Sequence, residues 1–84
     1  MTVVPREKLV DAIVGFVRRR FPATGALGSE TRLLDGNAID SLGVFELTVF
    51  LAETYGVEIG VHDFSEENFE TIDSVARLVE QKLG

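Results

Sequence analysis

Cysteine and tryptophan are missing from these 84 residues, and methionine, tyrosine and histidine occur once each. The lack of cysteine excludes disulfides, thiolate metal sites and cysteine nucleophiles, and nothing argues for an oxidising compartment. Long apolar runs are also lacking: no stretch reaches the length that crosses a bilayer. MTVVPREKL has no basic segment leading into an apolar run with a small-residue cleavage site. A cytoplasmic location without membrane insertion is the expectation. The most telling absence is local. Between Leu33 and Ala76 there is no Lys or Arg, while Asp35, Asp40, Glu46, Glu53, Glu58, Asp63, Glu66, Glu67, Glu70 and Asp73 all fall there. Such a field repels phosphate backbones, which excludes nucleic acid and anionic membranes and favours basic protein partners.

What is present is a globular composition, 45% apolar with a net charge of −6. One domain over residues 1–84, monomeric, with a single modest core is expected; the chain is too short for a deep cleft between subdomains. In PREKLVDAIVGFVRRRF, Leu9, Ile13, Phe16, Val17 and Phe21 repeat near helical spacing, so a first helix is predicted over about 5–20. Pro5 suits its first position, and Arg18–Arg20 suit the negative end of its dipole. Pro22 ends it. PATGALGSETRLLDGNAID follows as a long connection anchored by Leu27, Leu33, Leu34 and Ile39, and SLGVFELTVFLAETYG reads as a second helix stopped by Gly56. VEIGVHDF alternates like a strand but has no partner strand, and is expected to be an extended loop; SEENF is expected to form one helical turn. Thr71 is the expected N-cap of a last helix that aligns Ile72, Val75, Ala76, Val79 and Leu83. The fold class is therefore all-α: a small four-helix bundle, three main helices plus one short helix, with a long loop between the first two.

The second helix has two apolar stripes. Val44, Leu47, Leu51 and Tyr55 fall together and should face the core, and Leu42, Phe45 and Val49 fall roughly opposite, flanked by Glu46 and Glu53. An apolar strip edged by carboxylates is a docking surface for a partner with an apolar centre and a basic rim, unless the turn at 63–69 covers it. Phe45 and Phe50 either narrow a cavity between the helices or are plain core.

No catalytic or metal-binding constellation accompanies these elements. Ser41 as a hydrolase nucleophile needs a base, and the sole histidine, His62, stands in another loop beside Asp63. No Gly-x-Ser-x-Gly elbow surrounds Ser41, and no Gly-Lys-Ser/Thr phosphate cradle occurs. Asp35, Asn37 and Glu46 match positions one, three and twelve of an EF-hand loop, but Ile39 and Asp40 fill positions five and six, where an oxygen ligand and a glycine are needed. A divalent-cation-binding regulatory domain is accordingly the weakest reading. Asp40 reads as the N-cap of the second helix, which leaves Ser41 in its first turn at the positive end of the dipole, a position that tolerates a phosphodiester.

LLDGNAIDSLGVFELTVFLAETYGVEI resembles the acyl carrier proteins, the phosphopantetheine-attachment family, through an ordered set of features. Leu33-Leu34 precede the loop; Asp40-Ser41-Leu42, Glu46-Leu47, Leu51, Glu53, Tyr55 and Val57-Glu58-Ile59 follow. ETIDSVARLVEQKL is similar to the family's last helix. The resemblance implies that Ser41 carries 4′-phosphopantetheine, that Asp40 and Leu42 help a phosphopantetheinyl transferase recognise it, and that Glu46 and Glu53, with the apolar Phe45 and Val49, meet partner enzymes. It implies no catalysis by the domain itself. Its partners would be the transferase, an acyl- or aminoacyl-loading enzyme, and a downstream synthase or transferase in fatty-acid, polyketide or related biosynthesis. Gly43, where many fatty-acid carriers have an acid, loosens the first turn, and Val49 and Ala52 replace larger or acidic residues. These departures point to a specialised, discrete bacterial carrier. The alternative is a non-catalytic helical interaction module of the same fold that binds basic partners through its acidic face.

Overall fold

Leu9, Ile13 and Val17 repeat every fourth residue, and all three are fully buried on one face of a helix. The computed structural model describes residues 4–21, 27–33, 40–63, 65 and 67–83, apart from the side chains of Ser41 and Val61. Among them are three α-helices, α1 (Arg6–Arg20), α2 (Ser41–Tyr55) and α3 (Ile72–Leu83), and a 3-10 turn at Val61–Asp63. Helix α1 packs against both others. Their shared core contains Leu9, Ile13 and Val17 of α1, Val44, Leu47 and Leu51 of α2, and Ile72, Val75, Ala76, Leu78 and Val79 of α3, closed by Leu33 and Phe69.

Helix α1 starts one residue later than expected. Pro5 takes the N-cap position, because its ψ of 144° is extended and aims its carbonyl back at the amides of Lys8 (3.0 Å) and Leu9 (3.2 Å). Helix α2 ends at Gly56 as its sequence predicts: φ is +68°, the left-handed region, and the Gly56 amide donates to the Ala52 carbonyl.

At the start of α3, three amides that a helix cannot satisfy itself find partners: Ile72 N donates to Thr31 O, Asp73 N to Ser29 O and Ser74 N to Thr71 Oγ1, and Val75 N to Thr71 O is the first intrahelical bond. Thr71 is thus the cap, but the two earlier donors are met by the connection between α1 and α2. An antiparallel bridge between Arg32 and Thr71 and the bond from Leu33 N to Glu70 O (3.0 Å) complete this stitch. The rest of the connection's expected course, with Leu34, Ile39 and the calcium-loop positions Asp35 and Asn37, lies outside the described residues, as does Pro22.

The one helical turn expected at SEENF is present as a single bond between residues four apart, Phe69 N donating to Ser65 O at 3.1 Å, and it does not extend into a helix among the described residues. The short helical element lies earlier, in the segment whose alternation suggested an extended loop. Asp63 accounts for this. Its amide donates to Gly60 O (3.0 Å), and its carboxylate accepts from Gly60 N (2.9 Å), so this side chain closes the backbone into a 3-10 turn.

Candidate functional site

Asp40 is exposed and extended, with φ −98° and ψ −175°, and opens α2 as its side-chain cap. Asp40 Oδ1 accepts from Gly43 N at 2.8 Å, and the Asp40 carbonyl accepts from Val44 N at 2.9 Å. Gly43, expected to loosen this turn, is buried and tied down by that bond. Ser41 is the first residue of the helix, and its side chain lies outside the described portion. The amides of Ser41 and Leu42 donate to no described residue, as the first amides of a helix must unless something caps them.

From this start the two stripes of α2 separate. Leu47 and Leu51 are fully buried and Val44 nearly so, with Tyr55 packed at the core's edge. Leu42, Phe45 and Val49 are 62%, 57% and 41% exposed, the large apolar side chains that the described surface leaves to solvent. Of the described residues in the turn at 63–69, Phe69 enters the core rather than covering them. Phe50 is a core-edge residue: its ring stacks on Phe16 of α1, with centroids 5.0 Å apart. Phe45, by contrast, is exposed and outside the core. Thr48 is buried between the stripes, its hydroxyl satisfied by the Phe45 carbonyl at 2.7 Å.

The acids form a less uniform field than their order along the chain suggests. Basic residues outside the acidic block fold back onto it. Arg20 grips Glu46 with two guanidinium nitrogens, Nε on Oε2 and Nη2 on Oε1 at 2.9 Å. Lys82 reaches Asp63 at 2.8 Å, Arg32 approaches Glu70 at 3.6 Å, and Asp73 lies between Arg6 at 3.8 Å and Arg77 at 3.5 Å. Arg20's hydrogen bonds hold the Glu46 carboxyl below the usual glutamate range. Bonds from Lys82 and then from the Gly60 amide hold Asp63 low in the same way. Glu53, Glu58 and Glu67 have no cation within salt-bridge distance among the described residues. Of the expected rim, then, Glu53 stands free of a described cation and Glu46 is occupied by its own chain.

Arg20 was read from the sequence only as part of a cationic last turn of α1, and its pairing with Glu46 was missed, although a signal existed. Residues 16 and 20 on α1, and 46 and 50 on α2, are each one helical turn apart. In an antiparallel pair, a Phe16–Phe50 contact therefore implies an Arg20–Glu46 contact. The remaining sites add no metal centre: no cluster of three or more His, Asp or Glu able to hold an ion occurs among the described residues. An open cleft at the other end of α1 from Arg20 is lined mostly by charged residues, Arg6, Glu7, Asp11 and Asp73, with Val10 and Ser29. No described helix is long and apolar enough to cross a membrane.

The sequence is similar to those of known carrier proteins. A probable acyl carrier protein, PigG of Serratia, is 36% identical over 55 residues, covering 66% of this chain and 63% of that protein. The D-alanyl carrier protein of Streptococcus pyogenes is 31% identical over 49 residues, covering 58% of this chain and 62% of its own length. The chain is a relative of the carrier proteins. It spans a little over 60% of the length of those curated relatives. No protein-family model matches the chain.

Proposed function

We propose that this chain is a carrier that holds an acyl or aminoacyl group on a 4′-phosphopantetheine arm attached to Ser41. The observation that supports it best is the start of α2. Ser41 is the first residue of the helix, and its neighbours Asp40 and Leu42 are both exposed. The residues present fit the group. An attachment point between two exposed residues admits a transferase, and the Ser41 and Leu42 amides, which donate to no described residue, favour the negative phosphodiester that joins serine to the arm. When bound, the arm supplies a thiol at the end of a flexible tether, to which cargo is joined as a thioester.

The chain's own residues have the mechanical roles. Asp40 fixes the helix start, Leu42 marks the attachment point for the transferase, and the Leu42–Phe45–Val49 strip offers an apolar centre to loading and downstream enzymes. The tether turns a bimolecular encounter with each enzyme into a guided one, without catalysis by the domain. The names of the relatives, acyl carrier and D-alanyl carrier, support a cargo that is a carboxylic acid activated as its thioester.

Treatment with coenzyme A and a broad-specificity phosphopantetheinyl transferase tests this. The expected result is gain of one phosphopantetheine, mapped to Ser41 by tandem mass spectrometry, and no gain in Ser41→Ala with helicity retained. Failure of several transferases to modify the folded protein would leave the interaction-module reading in its place.

A further inference from the structure

Glu46 and Glu53 lie on one side of α2, two turns and roughly 10 Å apart along the axis, yet their surroundings are opposite. Arg20 holds Glu46 in a two-pronged grip, and the same guanidinium rests over the Phe21 ring, 5.4 Å from its centroid. Glu53 is exposed, has no cation within salt-bridge distance among the described residues, and stands in the last turn of α2, which contains no basic residue. A carboxylate there faces the negative end of the helix dipole and weakens the helix. An acid retained at a cost to the helix, without an internal partner, is available to an external cation. An acid already gripped by a guanidinium fork is not.

We propose that Arg20 sets partner specificity by neutralising Glu46, so that enzymes docking on α2 offer an apolar pocket to Leu42, Phe45 and Val49 and one cationic side chain to Glu53, rather than a continuous basic groove. The proposal rests on the carrier reading above. A partner with a Lys or Arg placed for Glu46 meets the resident guanidinium first, and like charges brought together at a desolvating interface select against it. Arg18 and Arg19, both exposed on the same last turn of α1, extend that repulsion.

A double-mutant cycle with the broad-specificity transferase and coenzyme A at low salt tests the coupling. Glu53→Gln should lower the initial kcat/KM about fivefold, whereas Glu46→Gln in the wild-type background should lower it less than about twofold. Arg20→Gln should raise the rate by uncovering Glu46, and Arg20→Gln with Glu46→Gln should lose that gain. Glu53→Gln should also raise the melting temperature while it slows association. Equal losses from Glu46→Gln with and without Arg20, in variants of wild-type circular dichroism, overturn the proposal. Carboxyl NMR gives a second reading that needs no partner. Glu46 should titrate at higher pH once Arg20 is replaced, and an unchanged midpoint refutes the grip in solution. A wild type that is never modified sinks the carrier reading and this face with it; a wild type that is modified but shows no coupling sinks this inference alone.

Discussion

Asp40 does two jobs at one residue. Its side chain and its carbonyl satisfy two consecutive amides of α2, those of Gly43 and Val44, and it is itself exposed beside the proposed attachment residue. Capping and presentation are therefore separable by substitution. Asp40→Ala should destabilise the domain by about 1 kcal/mol, as loss of a side-chain cap does, and fray the turn that bears Ser41. Asp40→Asn should retain most of that stability, because an amide oxygen can still accept from Gly43 N, while losing the negative charge beside the proposed attachment point. Denaturant unfolding and the rate of phosphopantetheine attachment, measured on both variants, separate the two roles. An Asn variant that is stable but modified slowly assigns the carboxylate to recognition by the transferase. One as fast as wild type assigns Asp40 to capping alone.

At the scale of elements, the stitch between residues 29–33 and 70–73 makes part of the α1–α2 connection a structural member. Its carbonyls cap α3, and Leu33 is fully buried in the three-helix core. Leu33→Ala should cost about 3 kcal/mol, in the range of a core helix residue rather than of a loop. Native-state hydrogen exchange should show the Leu33, Ile72 and Asp73 amides losing protection together, whereas an ordinary loop would exchange without affecting α3. The helices themselves were legible in the sequence, since the spacing of Leu9, Ile13 and Val17, and of Val75, Ala76 and Val79, is a local signal. So was the split of α2 into buried and exposed stripes, read from the positions of Leu47 and Leu51 against Leu42, Phe45 and Val49. The stitch was not legible, because backbone bonds between segments some forty residues apart leave no periodicity in either. The 3-10 turn was missed for a different reason. The alternation of Val57, Ile59 and Val61 is a strand signal, and the Asp63 carboxylate overrides it through one side-chain bond to Gly60. Glu46 was correctly placed on the exposed side of α2, yet its engagement by Arg20 depends on how α1 and α2 pack, which no single helix encodes.

For the molecule as a whole, net charge of −6 and a basic-free central block suggest a domain under strong self-repulsion, but packing places four of the block's acids against cations from other segments. Two of those acids then govern how stability responds to pH. Glu46 and Asp63 have ordinary values of 4.5 and 3.8, and the hydrogen bonds from Arg20 and Lys82 lower both in the folded state. A carboxyl depressed on folding binds its proton more tightly in the unfolded chain, so the unfolded state gains protons first as pH falls. The stabilisation from these pairs is thus fully present above the ordinary values, from about pH 5.5 upward, and is lost as pH drops through the depressed folded ones. Arg20→Gln and Lys82→Gln should each lower stability at pH 7, by an amount that stays constant down to about pH 5.5. The Arg20→Gln gap should narrow as pH falls below 4.5 and the Lys82→Gln gap as it falls below 3.8, each closing only once the carboxyl is protonated in the folded state and no longer rewards a cationic partner. Added salt at neutral pH should narrow the Arg20→Gln gap, because Arg20 is half exposed and its pair is open to screening. It should narrow the Lys82→Gln gap less, since the Asp63 side chain is only 11% exposed. Urea unfolding of the three proteins at pH 7, 5.5 and 3.5, with and without salt, checks each limb. Gaps that persist unchanged at pH 3.5 would show that Arg20 and Lys82 act through their aliphatic packing rather than through the carboxylates they reach.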